Sequence, residues 1–518
     1  MKHVFRSGTT VAALLLALLV SPPVSRAETQ KAKPTVLRYT LFKTYAYVST
    51  DFRPGTVWAI DYKEPLREAE VRPYSRRVEC RREGNRALFT LPAPGAYVVY
   101  LNGFKVCLFA EEPEVLPENT VNILSKGVDA TGKESVTRAV QEAIDEVAGT
   151  GKTLLFPAGT YKVSQVRIYD KKGVKIHLCR GARLRADIDD LESYSTEGRF
   201  GKSVPHKYFP GRKCAAAPAF VAIDRSEDVR ISGYGIIDGR GFDARVQALR
   251  QYGKATKGRY RCMLVSRSKD VMLEGYMAID PGSWNTHILL SERVTARNVK
   301  LLNELEFAPV ADNFLNVDHS NINTDGFDPD SSKDVLIEKC FGYCGDDNVA
   351  IKTSQYCGLL GDVERITVRG CVFLTQKSSL KVGTETVAAR MTDILFEDND
   401  VLEADRGISL YCYDGAECTN IRWVGNRIER HYPDAKQSPF NIGLRQRMPE
   451  CPLGRIDVEI RDTEVLGFFP KPSRISGPKG GDPERVRVRF ENLRIGGGRI
   501  TDAGQGKFSV ENASVTFK

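Results

Sequence analysis

Short β-rich units recur through most of the chain. They start at Val229-Arg-Ile, Val271-Met-Leu, Val294-Thr-Ala, Val335-Leu-Ile, Ile366-Thr-Val, Ile394-Leu-Phe, Ile421-Arg-Trp, Ile456-Asp-Val and Val486-Arg-Val. Most are followed by a second apolar run and then a Gly or Asn turn. The later intervals are 31, 28, 27, 35 and 30 residues. Recurrence at a period of about 20–50 residues marks a solenoid or a propeller. A propeller blade needs four strands in about 40–45 residues, and these units are shorter. The pattern predicts an all-β fold dominated by a right-handed parallel β-helix over 121–518.

Upstream of the repeats the period changes. In Ser135–Val147 the residues Val136, Val140, Ile144 and Val147 fall on one helical face. Gly149 and Gly151 stop that helix, which is predicted to cap the open N-terminal end of the solenoid. Before it, Val36–Val48, Thr56–Asp61, Glu68–Val71, Ala87–Leu91 and Tyr97–Leu101 read as short strands. Pro92-Ala-Pro-Gly95 separates the last two. These strands predict a small β-sandwich over 28–112. A linker over 113–120 follows, carrying Pro113 and Pro117.

The first residues have a different origin. Lys2, His3 and Arg6 precede an apolar run from Thr9 to Val20, and Ser25-Arg26-Ala27 follows it. This is the layout of a signal peptide over 1–27, too short to span a bilayer comfortably. The expected location is therefore outside the cytoplasm, secreted or periplasmic, with no membrane attachment after cleavage. Loss of Lys2, Arg6 and Arg26 would lower the net charge from +9 to +6. That mild excess suits a polyanionic substrate. No basic stripe interleaved with aromatics is present, so nucleic acid is not an expected partner. Ordinary composition, with 42% hydrophobic and 27% charged residues over 518, excludes a disordered chain.

Export permits disulfides, but the pairing of the 12 cysteines does not follow from their positions. With 6 histidines and no paired C-x-x-C pattern, a zinc site is not expected. Gly149-Thr-Gly-Lys-Thr imitates the end of a P-loop, yet Glu146 stands where the first glycine belongs. His287 reads as a packed or turn histidine.

The candidate chemistry lies in Asn323-Thr-Asp-Gly-Phe-Asp328 and Gly345-Asp-Asp-Asn-Val-Ala-Ile-Lys352. Asp325 and Asp346 are 21 residues apart, about one coil of a β-helix, and coils stack at about 4.8 Å. Asp325 is thus expected beside the Asp346/Asp347 pair. Neighbours in a regular strand face opposite ways, so the pair can share a cleft only if the backbone turns near Gly345. Clustered carboxylates cannot all ionise cheaply, and at least one is expected to keep its proton. One acid and one or two bases are what glycosidic hydrolysis requires. The same residues could instead satisfy turn N–H groups or bind Ca²⁺.

These two motifs, with Ser283-Trp-Asn-Thr-His287, Gly127-Val-Asp-Ala-Thr-Gly, Phe156-Pro-Ala-Gly-Thr-Tyr161 and Ile236-Ile-Asp-Gly-Arg-Gly241, resemble glycoside hydrolase family 28, the polygalacturonase family. The resemblance covers about 120–518. It implies a right-handed parallel β-helix and an inverting hydrolase that needs no metal or organic cofactor. It assigns Asp346 as general acid, and Asp325 and Asp347 as the residues that activate water. Asn323 would line the same cleft. The front module resembles, more loosely, the β-sandwich of family 49 dextranases, on Val71-Arg-Pro73 and Phe89–Tyr97.

Two departures from the family pattern bear on substrate. Ser378 stands where the family has a histidine, and Ser409-Leu-Tyr411 replaces an Arg-Ile-Lys run that holds the substrate carboxylate. Lys377, Lys381, Arg406, Arg445 or Arg447 could supply the lost cations. Asn323, Lys352, Ser378, Lys381, Tyr411 and Arg445 are the expected substrate-binding residues, with Tyr413 beside Tyr411 for stacking. The expected protein is a monomeric polysaccharide hydrolase acting on a pectic or related uronate-containing glycan. A dextranase-like hydrolase of a neutral α-glucan, a silent glycan-binding β-helix and a Ca²⁺-dependent lyase are the other readings.

Overall fold

The apolar triplets lie side by side in a single sheet of the computed structural model. It describes residues 34–518 except 43, 201–203, 206, 208–212, 215–216, 254, 304–322, 357 and 431–437. The stretch read as a signal peptide lies outside these residues. Three long parallel sheets run along one axis, of thirteen, thirteen and eleven strands. A coil passes from a back sheet (Lys333–Glu338) to a second sheet (Phe341–Cys344) and a third (Val349–Thr353) before returning to the back sheet at Val363–Arg369. This is a right-handed parallel β-helix.

The back-sheet ladder explains the recurring triplet. Val229, Val271, Val294, Val335, Ile366, Ile394 and Ile421 are successive partners. All are buried in the common core. The residue before each is in the left-handed region, with Asp228, Asp270, Arg293, Asp334, Arg365, Asp393 and Asn420 at φ 50–56°. Asp and Asn tolerate that conformation best after Gly, so the repeat is polar at this station for a backbone reason. The register departs from expectation at one coil. Ile421 pairs with Val458 rather than Ile456, because the ladder shifts between Thr419 and Ile421.

Corner N–H groups are satisfied by side chains from the next coil, as buried donors must be. Ser226, Ser268 and Ser291 donate their N–H to the hydroxyls of Ser268, Ser291 and Ser332. The Cys371 and Asn399 N–H groups reach the side-chain oxygens of Asn399 and Asn426.

Both ends are closed. The helix Thr137–Val147 buries Val140, Ala143, Ile144 and Val147 against the first coils, as its periodicity predicts. At the other end Phe490 stacks on Phe517 at 4.9 Å between ring centres, with Phe440 and Phe508 beside them.

Residues 35–111 form two facing sheets. One holds four strands (Thr35–Val36, Val57–Asp61, Arg86–Thr90, Cys80–Glu83) and the other five (Thr40–Phe42, Tyr45–Asp51, Phe104–Glu111, Gly95–Leu101, Ala69–Arg72). The run Val36–Val48, expected as one strand, is divided among three. Trp58, Ile60, Phe89, Val99 and Leu108 are among the residues buried between the sheets. The five-stranded sheet uses its other face too. Tyr45, Val98, Tyr100 and Phe109 pack on Ile279, Leu302, Phe341 and Leu374 of the second β-helix sheet. Arg72 bonds Glu429 across this contact at 3.1 Å, with side chains 5% and 1% exposed. Between the two units, Glu114 accepts hydrogen bonds from the Arg180 and Tyr234 N–H groups. Among the described residues no helix is long and apolar enough to cross a membrane.

Candidate active site

The third sheet points its alternate side chains away from the core, and the carboxylates stand at its leading edge. Asp325 precedes the strand Phe327–Asp330, and Asp347 precedes Val349–Thr353. Phe327 pairs with Val349, and Val349 with Leu380. That register puts Asp325, Asp347 and Ser378 on consecutive coils at one station. Asp346 precedes this column by one residue, in a bend that the chain makes over Gly345–Asp346 between two strands. The bend is tied down by Asn348, whose side-chain N–H groups reach the Gly342 and Leu374 carbonyls. Ser379 donates to the Asn348 side-chain oxygen at 3.0 Å. The expected departure from strand alternation is therefore present, held by an asparagine inside the coil.

The three carboxylates have different donors. Lys381 Nζ is 2.5 Å from Asp347 Oδ2, and the Ser378 N–H meets Asp347 Oδ1 at 3.0 Å. Lys352 Nζ is 3.1 Å from Asp325 Oδ2, whereas Asp325 Oδ1 has no hydrogen-bond donor. Among the described residues Asp346 meets only amides: the Asp347 N–H at 2.9 Å and Asn323 Nδ2 at 3.2 Å. Arg259 in turn holds the Asn323 side-chain oxygen at 3.0 Å.

Protonation follows from these partners. Burial pushes Asp346 well above the ordinary carboxylate range, and repulsion from Asp325 and Asp347 adds to it. Burial also acts on Asp347, but Lys381 and Arg406 outweigh it and hold that group below the usual range. Asp325 lies between them: burial raises it, Lys352 pulls it down, and Asp347 pushes it up again. One acid and two carboxylates with their own lysines stand in one cluster.

The remaining expected residues fall in two groups. Lys352 differs from its expected place on the substrate. It is enclosed by Asp325, Asp328 and the Trp284 ring, with its side chain 4% exposed. Ser378 is also buried; its Oγ has no protein partner, and the same holds for Ser409 Oγ on the next coil. On the outer face beyond them, Lys381, Ser409, Asn441 and Arg474 occupy one station on adjacent strands. Tyr411 and Tyr413 lie together there, 5.4 Å between ring centres. Lys381 is 5.8 Å from the Tyr411 ring, and Arg445 is 3.9 Å from that of Tyr413. Arg447 is tied to buried Asp414 at 2.8 Å.

Three contributors were not singled out by spacing. Asp328 ends a quoted motif but was given no role; the register shows it, because it is the outward residue of its strand beside Ala350. Arg259 and Glu385 carry no sequence signal, since they come from another coil and from the end of the Ser378–Thr386 strand. His287 is buried, with Nε2 3.2 Å from Asp330 Oδ2, and burial holds its basicity well below the usual range. It is a packed histidine, as expected. Among the described residues no three His, Cys, Asp or Glu side chains gather as metal ligands.

The family model described as glycosyl hydrolases family 28 matches residues 206–408, a span that includes all three carboxylates. A curated "Probable polygalacturonase" of Vitis vinifera is 24% identical over 360 residues, covering 64% of this chain and 68% of that one. The exopolygalacturonase of Thermotoga maritima superposes with a TM-score of 0.54 at 20% identity, over 75% of this chain and 94% of that one. The polygalacturonase of Erwinia carotovora gives 0.55 at 18%, over 79% and 98%. These structures share the β-helical fold.

Proposed function

We propose that this chain, a glycoside hydrolase of family 28, hydrolyses an α-type glycosidic bond in a uronate-containing pectic polysaccharide with inversion at the anomeric carbon. Asp346 gives its proton to the departing glycosidic oxygen. Asp325, through its unpartnered Oδ1, takes a proton from the attacking water. Asp347, with both oxygens occupied by Lys381 and Ser378, stays ionised and helps hold that water. The water oxygen bonds to the anomeric carbon as the bond to the leaving oxygen breaks, so two carboxylates exchange one proton each and charge balances.

The observation that carries this reading is the division of partners: a lysine for each base and only amides for the acid. A carboxylate without a cation in an enclosed site keeps its proton near neutrality, and an ammonium in contact favours the ionised form. The uronate preference is supported by the positive outer face around Lys381, Arg406, Arg445 and Arg474, and by the activity named for the Vitis vinifera relative. Arg406 and Lys381 stand beside the cleavage point, and Tyr411 and Tyr413 offer ring faces to the sugars beyond it. Export through residues 1–27 would bring the enzyme to its polymer.

The test is release of reducing ends from polygalacturonate, rhamnogalacturonan and dextran by wild type and Asp346→Asn. Release from a pectic polymer that the variant abolishes is the expected result. Release from dextran alone would reject the uronate assignment, and release by the variant would reject Asp346 as the acid.

A further inference from the structure

Lys352 is the most enclosed cation of the cleft. Its Nζ lies 2.7 Å from Asp328 Oδ1, 3.1 Å from Asp325 Oδ2 and 3.8 Å from the centre of the Trp284 ring. An ammonium has three donors. One N–H bonds Asp325, and the Asp328 carboxylate and the indole face close the rest of its surroundings, so with its side chain 4% exposed it is shielded from a sugar. Its charge must act through its neighbours.

A buried carboxylate stays ionised only when a partner compensates the loss of water. Asp325 and Asp328 are both buried and both face this one lysine. The carboxylate of Asp347 opposes ionisation of Asp325, and Asp328 and Asp346 would add to it only on losing their protons. Lys381 and Arg259 favour it from other coils, and the Cys344 thiol lies nearby. Lys352 is the cation in direct contact. Glu385, Asp330, Tyr356 and His287 face Lys352 from its far side. Lys352 lies closer to Asp328 than to Asp325, yet burial pushes Asp328 further above the usual range, so Asp325 is the one of the two that ionises first.

We propose that Lys352 is a positioning residue: bridging Asp325 and Asp328 against Trp284, it supplies the buried positive charge that keeps Asp325 ionised as the base for water. This rests on the hydrolase reading above. Lys352 thereby does for Asp325 what Lys381 does for Asp347.

The test follows the Asp325 carboxyl directly, by ¹³C-aspartate NMR titration of the full chain, with the signal assigned by its loss in Asp325→Asn. In Lys352→Met the Asp325 midpoint rises by about one to three pH units. The acidic limb of kcat/KM rises with it on whichever polymer wild type cleaves. In Asp328→Asn the Asp325 midpoint stays in place. An unmoved midpoint in Lys352→Met overturns the proposal. So does a fall of more than about one pH unit in Asp328→Asn, which would mean that Asp328 holds the lysine's charge. Should Lys352→Met fail to fold, Asp328→Asn decides. Midpoints that move as expected in an enzyme silent on every polymer would contradict the hydrolase reading while supporting the electrostatic role.

Discussion

Lys381 Nζ sits 2.5 Å from Asp347 Oδ2, and the adjacent residue, Asp346, has no cation within bonding reach among its described contacts. Two consecutive aspartates thus experience opposite fields. The bend over Gly345–Asp346 makes this possible by bringing both to one edge of a sheet. Their contrast underlies the account of the site and sets most of its tests.

Replacing Asp346 by Asn keeps the shape but only one of the two amide contacts, because its NH2 must face either the Asp347 N–H or Asn323 Nδ2, and it removes the transferable proton. Activity is expected to fall by about 10²–10⁴-fold, the usual worth of a general acid. The thermal midpoint should fall slightly, because an NH2 meets another N–H where the carboxyl accepted one, while a group that is already neutral loses no charge. Steady-state kinetics and a thermal melt on one sample check both.

The pH profile should be a bell. Activity needs Asp346 protonated, so it is lost on the alkaline side as that raised carboxyl ionises. It also needs Asp347 and Asp325 ionised, so it is lost on the acidic side as they take up protons. Lys381→Met removes the cation that holds Asp347 down. The acidic limb then moves up and the bell narrows from that side, while the alkaline limb stays or rises slightly. Profiles of kcat/KM for the two proteins decide it.

Much of the fold is legible in the chain because the solenoid repeats its demands. Each coil needs an apolar triplet facing inward and a polar left-handed residue just before it, and both recur in the sequence. The ladder partner of Ile421, Val458, is not legible, since the shift at Thr419 leaves no mark in an apolar pattern. The cluster of Asp325, Asp346 and Asp347 was legible through spacing and family motif. The place of Lys352 was not. Strand alternation puts it on the outer face, but Trp284 from an earlier coil covers it, and such cover is set by side chains distant in sequence. The unity of the two modules was also hidden, because Tyr45, Tyr100 and Phe109 read equally well as sandwich core.

That contact leads to a stability prediction. Arg72 and Glu429 are both buried at the junction, and the Tyr74 N–H also reaches Glu429, at 2.6 Å. Glu429→Ala removes one of the two carboxylates that hold Arg72, whose other nitrogen still meets Glu70 at 2.6 Å, so the loss should stay below the about 3–5 kcal/mol of a fully stranded buried charge. Chemical denaturation should show this loss, with activity per folded molecule unchanged because the pair is remote from the carboxylates.

Arg406 offers a cation beside Ser378 on the next coil, with an Nε that has no acceptor among the described residues. Arg406→Gln should raise KM for a uronate polymer about tenfold or more, the value of one charge-assisted hydrogen bond of roughly 1.5–3 kcal/mol. On a methyl-esterified polymer the same substitution should matter much less. Equal losses on both would remove Arg406 from carboxylate recognition.

The most direct measurement is proton NMR of the first product formed from polygalacturonate by wild type, with Asp346→Asn alongside. The account predicts that the new reducing end appears first as the β-anomer, before mutarotation, and that the variant forms none. A first product in the α-form, an unsaturated product, or turnover by Asp346→Asn would contradict it.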